Sequence, residues 1–186
     1  MRLGIVVISA FGLFLLDRSQ QSEAVVFKFT NFQCESYNRS WFVFHECRLK
    51  AISRNKVILN MNGTILYPVN NILAQFKLYK RDNGYKPWLI NILIDICKFV
   101  KQNYNPFAKM IFSLYKDFSN FNHTCPYVGS QIIQGLYLRP EKLIYPLPNG
   151  DYMLTIRWHF DRKPQVETNI SFTFAEDLSK TNIKFK

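Results

Sequence analysis

Residues 152–160 read YMLTIRWHF, and this stretch decides the fold because large apolar residues occupy every second position. Such alternation is typical of a half-buried β-strand, with one face against a core and the other in solvent. The apolar face consists of Tyr152, Leu154, Ile156, Trp158 and Phe160. The same period of two recurs at residues 57–67, 72–78 and 166–174. Turn residues at 68–71 and 161–164 separate neighbouring strands and predict consecutive antiparallel hairpins.

The middle of the chain has a different pattern, which predicts helices. Pro87 precedes residues 88–100, which are apolar on nearly all sides, as in a helix covered by the rest of a protein. Asn105 and Pro106 form a favourable cap and first turn for a second helix. That helix carries one apolar stripe, formed by Phe107, Met110, Ile111, Leu114 and Phe118. We therefore predict a mainly β, antiparallel β-sandwich with two helices inserted between two blocks of strands.

The N-terminus predicts the compartment. Arg2 precedes an uninterrupted apolar run at residues 3–16, which suits a secretory signal peptide. The run is shorter than the roughly 20 apolar residues that span a bilayer, so an uncleaved anchor is the weaker alternative. Ser22 and Ala24 favour cleavage after Ala24, although a cut near Ser19 is also compatible. We expect a secreted, extracellular protein in which residues 1–24 are a signal peptide and residues 25–186 form one domain, without stable membrane insertion.

The four cysteines predict a disulfide framework, because an even number in an oxidising compartment is typical of paired cysteines. Three pairings are possible. A hairpin between residues 27–37 and 41–52 would place Cys34 opposite Cys47, which leaves Cys97 to bond with Cys125. A zinc site is the competing use, but no Cys-x-x-Cys motif occurs and the histidines lack finger spacing. We predict these two disulfides and no metal site.

Four Asn-x-Ser/Thr triplets predict N-glycosylation, in agreement with the signal peptide. The acceptor residues are Asn38, Asn62, Asn122 and Asn169. Asn38 lies at a predicted turn and Asn122 in a predicted loop, whereas the other two lie on the polar faces of predicted strands.

The formal net charge of +11 limits the classes of partner. In a nuclear protein such a balance would indicate nucleic-acid binding. The predicted compartment and the even scatter of Lys and Arg argue against that partner. The simpler interpretation of the net charge is a solvated basic surface. The more specific interpretation is attraction to anionic membranes or acidic head groups.

Motifs for catalysis are missing from the sequence. There is no Gly-x-Ser-x-Gly, no His-Glu-x-x-His and no glycine-rich phosphate loop. The three histidines, His45, His123 and His159, have no partner at a spacing that suggests base catalysis. Paired carboxylates for glycoside chemistry stay open, since only folding brings them together. We expect a protein that is not an enzyme and that uses no cofactor.

Several short patterns in a fixed order carry a family resemblance. They are Leu59-Asn60-Met61, Tyr85-Lys86-Pro87-Trp88-Leu89, Asp95-Ile96-Cys97, Asn122-His123-Thr124-Cys125-Pro126-Tyr127 and Leu147-Pro148-Asn149-Gly150-Asp151-Tyr152. Together they resemble an insect-specific family of secreted proteins of unknown function. That family is similar to the CheB chemosensory proteins and, through them, to the ML lipid-recognition superfamily. The resemblance extends from about Phe27 to about Phe174.

This resemblance implies an immunoglobulin-like β-sandwich whose two sheets can part to hold an apolar ligand. It also implies a role in chemosensation or pheromone response, with a hydrophobic small molecule and a membrane receptor as partners. Superfamily members often clamp both ends with a disulfide, whereas this chain has no cysteine after Cys125.

Binding of a lipid, fatty acid or cuticular hydrocarbon-like molecule is the leading functional hypothesis. The candidate pocket walls are Phe27, Phe29, Phe76, Leu78, Trp88, Phe107, Trp158 and Phe172. An extracellular protein–protein interaction module with a filled core is the alternative. The two hypotheses differ in one observable feature, because a binder needs a cavity of roughly 300 Å³ or more and a filled module does not.

Overall fold

Two antiparallel sheets build the protein in our computed structural model, which describes residues 25–54, 56–144 and 146–176. The predicted signal peptide lies outside the described residues. The strands are β1 (Val26–Ser36), β2 (Phe42–Ser53), β3 (Lys56–Val69), β4 (Ile72–Arg81), β5 (Tyr85–Asp95), β6 (Tyr127–Leu136), β7 (Gly150–Phe160) and β8 (Lys163–Ala175). One sheet has the strand order β1-β8-β7-β4-β5, and the other has the order β2-β3-β6. We call them the five-stranded and the three-stranded sheet.

Two short helices connect β5 of one sheet to β6 of the other. They are α1 (Ile96–Gln102) and α2 (Pro106–Tyr115). The side chain of Asp95 caps α1 by accepting a hydrogen bond of 2.9 Å from the backbone N–H of Lys98. Asn105 caps α2 in the same way, through the N–H of Ala108. The predicted β-sandwich with two helices inserted between strand blocks is therefore confirmed.

The prediction of a helix at residues 88–100 is wrong over most of its length. Residues up to Asp95 belong to β5, and the helix begins only at Ile96. β5 is an edge strand whose inner face carries Ile90, Ile92 and Ile94, while Leu93 on its outer face is 56% exposed. Although that face also carries the polar Asn91, an apolar residue such as Leu93 on it makes the segment resemble a buried helix in sequence. The isoleucines at alternate positions were the missed signal, because β-branched residues favour strands.

The predicted hairpin between residues 27–37 and 41–52 is also wrong. β1 pairs with β8, with Phe27 opposite Phe174, and β2 pairs with β3 in the other sheet. Residues 68–71 likewise connect β3 to β4 across the sandwich, so they do not form a hairpin turn. Only the turn after β7 forms a hairpin as expected. The two turn residues, Asp161 and Arg162, both have positive φ. Positive φ at both positions is what a type I′ hairpin turn requires.

Both disulfides are present, and the first has an unexpected position. Cys34–Cys47 joins β1 of the five-stranded sheet to β2 of the three-stranded sheet, with 6.2 Å between the Cα atoms. Cys97–Cys125 joins α1 to the segment that precedes β6. The bonded pairs are those expected, but the hairpin argument that led to the first pair does not hold. Cys34–Cys47 is instead a covalent link between the two sheets.

Aromatic side chains dominate the core between the sheets. The ring of Phe27 packs edge-on against Phe172 and Phe174, with centroids 5.6 and 5.7 Å apart. Tyr152, which is fully buried, stacks on Phe172 at 5.5 Å. Leu59 and Met61 from the three-stranded sheet belong to the same buried cluster. The inner faces of both sheets therefore share one apolar interior.

Candidate functional site

A cavity of about 610 Å³ lies inside this interior. Its walls come from both sheets and from α2, which covers it with Phe107, Met110 and Leu114. No charged side chain of the described residues lines it. The few polar groups on the wall include the side chains of Gln131 and Thr168, which are 4% and 5% exposed. Apart from these groups, the cavity is an apolar space.

The cavity walls extend a long way along the strands. Ile72 and Leu78, near opposite ends of β4, both line it. Six residues of extended strand span roughly 20 Å, so the walls extend over about that length. Phe160 and Leu154 of β7 mark the same span on the neighbouring strand. The walls are therefore long enough to contact an extended alkyl chain.

Two residues of the cavity wall are exposed to solvent, and we place the mouth of the cavity beside them. Leu89 is 83% exposed and Pro146 is also exposed, whereas the other lining residues in the described part of the chain are buried or half-buried. Leu89 has a φ of 48° and lies in a bulge of β5. There, three residues of β5 lie opposite Leu78 alone. Bulges re-aim side chains, and this one leaves both Trp88 and Ile90 on the cavity wall.

Seven of the eight predicted wall residues line the cavity: Phe27, Phe29, Leu78, Trp88, Phe107, Trp158 and Phe172. Phe76 does not. Its ring is 4% exposed and packs edge-on against Phe107, 5.8 Å between centroids, as part of the solid core. Phe76 and Leu78 share the inner face of one strand, so the period-two pattern cannot separate a wall residue from one packed behind the wall.

Sequence reasoning missed the walls contributed by the three-stranded sheet. These residues are Phe42, Phe44, Leu59, Met61, Ile65, Tyr127, Gln131, Ile133 and Leu136. The alternation at residues 57–67 did place Leu59 and Met61 on a buried face. That pattern does not distinguish side chains that border a cavity from side chains that pack in a filled core.

Two tyrosines, Tyr115 and Tyr127, line the cavity. Tyr127 donates a hydrogen bond of 2.5 Å to the carbonyl oxygen of His123. Burial raises the pKa of Tyr127, and burial together with the neighbouring Tyr127 raises the pKa of Tyr115. Tyr115 is half-buried, and we attribute its remaining accessible surface to contact with the cavity. Both hydroxyls are therefore neutral at physiological pH, and the wall carries no formal charge.

The three histidines lie in separate places. Nε2 of His45 is 2.8 Å from Oγ1 of Thr64, and the ring of His123 stacks on Tyr127 at 4.3 Å. His159 is on β7, where its Nδ1 is buried without a hydrogen-bond partner among the described residues. Within residues 25–54, 56–144 and 146–176, no three His, Cys, Asp or Glu side chains are grouped as a metal site would require. No helix in these ranges is long and apolar enough to cross a membrane.

The four predicted glycan acceptors have different surroundings. Asn122 is exposed in the loop before β6, and Asn38 lies between β1 and β2, where it accepts a hydrogen bond from Ser40. Asn62 and Asn169 are half-buried on β3 and β8. Oδ1 of Asn169 accepts a hydrogen bond of 2.6 Å from Thr155. Glycosylation at all four positions stays a prediction.

Comparisons with known proteins give a partial family match. A family model described as a protein of unknown function, DUF1091, matches residues 74–154, from β4 to the middle of β7. No curated protein matches the sequence.

Similar solved structures include a Niemann-Pick type C2 protein from the Japanese carpenter ant. It is 13% identical, with a TM-score of 0.32, and the match covers 83% of this chain and 95% of that chain. They also include chicken MD-1 complexed with lipid IVa. It is 14% identical, with a TM-score of 0.31, and the match covers 82% of this chain and 99% of that chain.

Proposed function

We propose that this protein is a secreted, non-enzymatic carrier that binds one apolar small molecule in the cavity between its sheets. The observation that carries the proposal is the cavity of about 610 Å³ with no charged side chain on its described walls. Protein interiors are close-packed, and voids larger than a water molecule are few. Small-molecule sites commonly have volumes of about 300–1,000 Å³ and mostly apolar linings. The size and chemistry of this cavity therefore match a ligand site.

The ligand class follows from the length of the walls and from their lining. Each methylene group that leaves water for an apolar site contributes about 0.8 kcal/mol, so a long alkyl chain gains most from this cavity. The few polar wall residues, such as Gln131 and Thr168, cannot neutralise a buried charge. A fatty acyl chain or a long hydrocarbon fits these constraints.

The alternative, an interaction module with a filled core, predicts ordinary packing between the sheets. The cavity counts against it. The resemblance to chemosensory proteins supports a role in delivering or presenting a chemical signal, with a membrane receptor as the second partner. The predicted signal peptide and the two disulfides support an extracellular site of action.

Native mass spectrometry of protein secreted from insect cells, followed by solvent extraction and lipid analysis, tests the proposal. The informative variant is Ile92→Trp, because Ile92 is half-buried on the cavity wall and the larger side chain would take up part of the space. Leu93→Trp is its matched control, since Leu93 is the next residue of β5 and points outward. We expect a co-purifying lipid at near-stoichiometric occupancy in the wild type and in the control, and a lower occupancy or a shorter bound chain in Ile92→Trp.

A clean apo mass for the wild type, with no uptake from a mixed panel of lipids and hydrocarbons, would contradict the proposal. Equal occupancy by the same lipids in folded Ile92→Trp would contradict binding against this part of the cavity wall. Circular dichroism of both variants checks that they keep the β-sheet content of the wild type.

A further inference from the structure

Lys80 occupies an unusual position in the five-stranded sheet. It follows Ile72, Ala74, Phe76 and Leu78 at every second position of β4, and these four residues all point into the sandwich. Lys80 continues this inner face and lies opposite Tyr152, which is fully buried. A basic side chain therefore takes the position after Leu78, a wall residue, at the end of the apolar row.

The neighbouring strand adds a second positive charge at the same place. Lys86 of β5 is the register partner of Lys80, and directly opposed residues of antiparallel strands share one face. Like charges at such a position destabilise a sheet. The inner-face positions of β7 and β8 carry no charge, as Tyr152, Leu154, Ile156, Trp158, Phe160, Val166, Thr168, Ile170, Phe172 and Phe174 show. The charges on this face are thus both positive and both at one end.

That end is the mouth of the cavity. Nζ of Lys80 is 5.9 Å from the ring centroid of Trp88, a wall residue adjacent to the exposed Leu89. It is 5.8 Å from the ring centroid of Tyr152, whose hydroxyl donates to the carbonyl oxygen of Pro148, close in sequence to the exposed Pro146. The ammonium group therefore lies where the apolar wall meets solvent.

The carboxylates near this corner are already engaged. Asp82 pairs with Lys86 at 3.3 Å, and Asp151 accepts a hydrogen bond of 2.6 Å from Thr173. None of the ion pairs found within residues 25–54, 56–144 and 146–176 includes Lys80. Its charge is consequently available to an anion from outside the described chain.

We propose that the ligand is a single-chain amphiphile with an anionic head group, and that Lys80 binds this head group at the mouth while the tail fills the cavity. The proposal rests on the proposed function and adds the polarity and the orientation of the ligand. A lysine ammonium acts as a point charge, so carboxylate, sulfate and phosphate groups share the required chemistry. Lys86 is paired with Asp82, which leaves Lys80 as the charge that the head group would meet.

A structural role for Lys80 gives a different expectation. Its aliphatic stem could pack on Trp88 and Tyr152 simply to close the end of the core, with the ammonium in water. Lys80→Met keeps the stem and removes the charge, so it separates the two roles. Lys77→Met is the matched control, because Lys77 lies three residues earlier on β4 and on the outer face. Lys80→Arg keeps the charge and should keep the binding preference.

The probes are hexadecanoate, hexadecyl sulfate, hexadecyl phosphate and hexadecanol, titrated below their micelle concentrations and followed by tryptophan fluorescence. We expect the wild type, Lys77→Met and Lys80→Arg to prefer the anionic probes over hexadecanol. Lys80→Met should weaken the anionic probes about fivefold, the effect of one partly exposed ion pair, and leave hexadecanol unchanged. The preference should decrease in high salt. Comparison of the three anions identifies which head group binds best.

Two results would overturn the inference. If hexadecanol and the anions bind the wild type equally, or if Lys80→Met weakens all probes to the same extent, Lys80 does not recognise a charge and the carrier function stands alone. If no probe binds the wild type, the proposed function and the inference fail together.

Discussion

Removal of the disulfide between the sheets should lower the stability of the fold without changing its strand pairing. The perturbation is the double substitution Cys34→Ala and Cys47→Ala, which leaves no free thiol. The bond closes a loop with a sequence separation of 13. With that loop length, the chain-entropy relation gives a loss of about 3 kcal/mol in the free energy of unfolding at 25 °C. For a domain of this size that loss lowers the melting temperature by roughly 6–12 °C.

The second disulfide provides the matched comparison. Cys97–Cys125 has a sequence separation of 28, for which the same relation gives about 3.6 kcal/mol. Cys97→Ala with Cys125→Ala should therefore cost slightly more than the first double substitution. Urea unfolding followed by tryptophan fluorescence measures both losses, and similar m-values would show that both variants unfold the same amount of surface.

Hydrogen exchange distinguishes a link between sheets from a link within a hairpin. Cys34 faces Thr168 of β8, and Cys47 faces Met61 of β3, so each strand keeps its own partner when the bond is removed. We expect β1 and β2 to retain slowed amide exchange in the double variant. A stability loss below about 1 kcal/mol, or joint loss of protection in β1 and β2 alone, would refute this reasoning.

Three further predictions concern single residues. Burial alone raises the pKa of Glu167, but hydrogen bonds from Tyr37 and Arg157 and the charge of Arg157 outweigh it and lower that pKa. Glu167→Gln should therefore cost about 1 kcal/mol at neutral pH, and the difference from wild type in urea titrations should disappear as the pH falls through the lowered pKa. A difference that grows in acid would contradict this assignment. Gly63→Ala should destabilise the protein by about 1–3 kcal/mol, because the new Cβ would overlap the ring of Phe42 in the adjacent strand; an unchanged melting temperature would show that the ring moves freely. Phe76→Ala should cost about 3–5 kcal/mol in thermal or urea unfolding, since that ring lies in solid core and not on the cavity wall. A cost below about 2 kcal/mol would indicate that the cavity extends to Phe76.

The inner faces of several strands could be predicted from the sequence because alternation is a local signal. In the strand segments 72–78 and 152–160, the alternate apolar side chains point into the sandwich. These inner faces supply many of the residues that line the cavity. Seven of the eight predicted wall residues are therefore found on its wall. β5 escaped prediction because the exposed Leu93 lies between Asn91 and Asp95 on its outer face and interrupts the alternation of polar and apolar residues. Its bulge at Leu89, which forms part of the mouth, depends on a pairing irregularity against β4 that no local pattern encodes.

The sequence by itself determined which residues are apolar on alternate positions, which asparagines carry glycosylation motifs and how many cysteines are available for bonds. Only the tertiary structure decided that β1 and β2 belong to different sheets, that Cys34–Cys47 connects them and that the sheets leave about 610 Å³ unfilled. The reason is physical. Alternation of apolar and polar residues is a local property of the sequence. The same alternation occurs whether the apolar face packs against the other sheet or borders a cavity. The distance between two faces depends on helices, bulges and cross-links that are far apart in sequence.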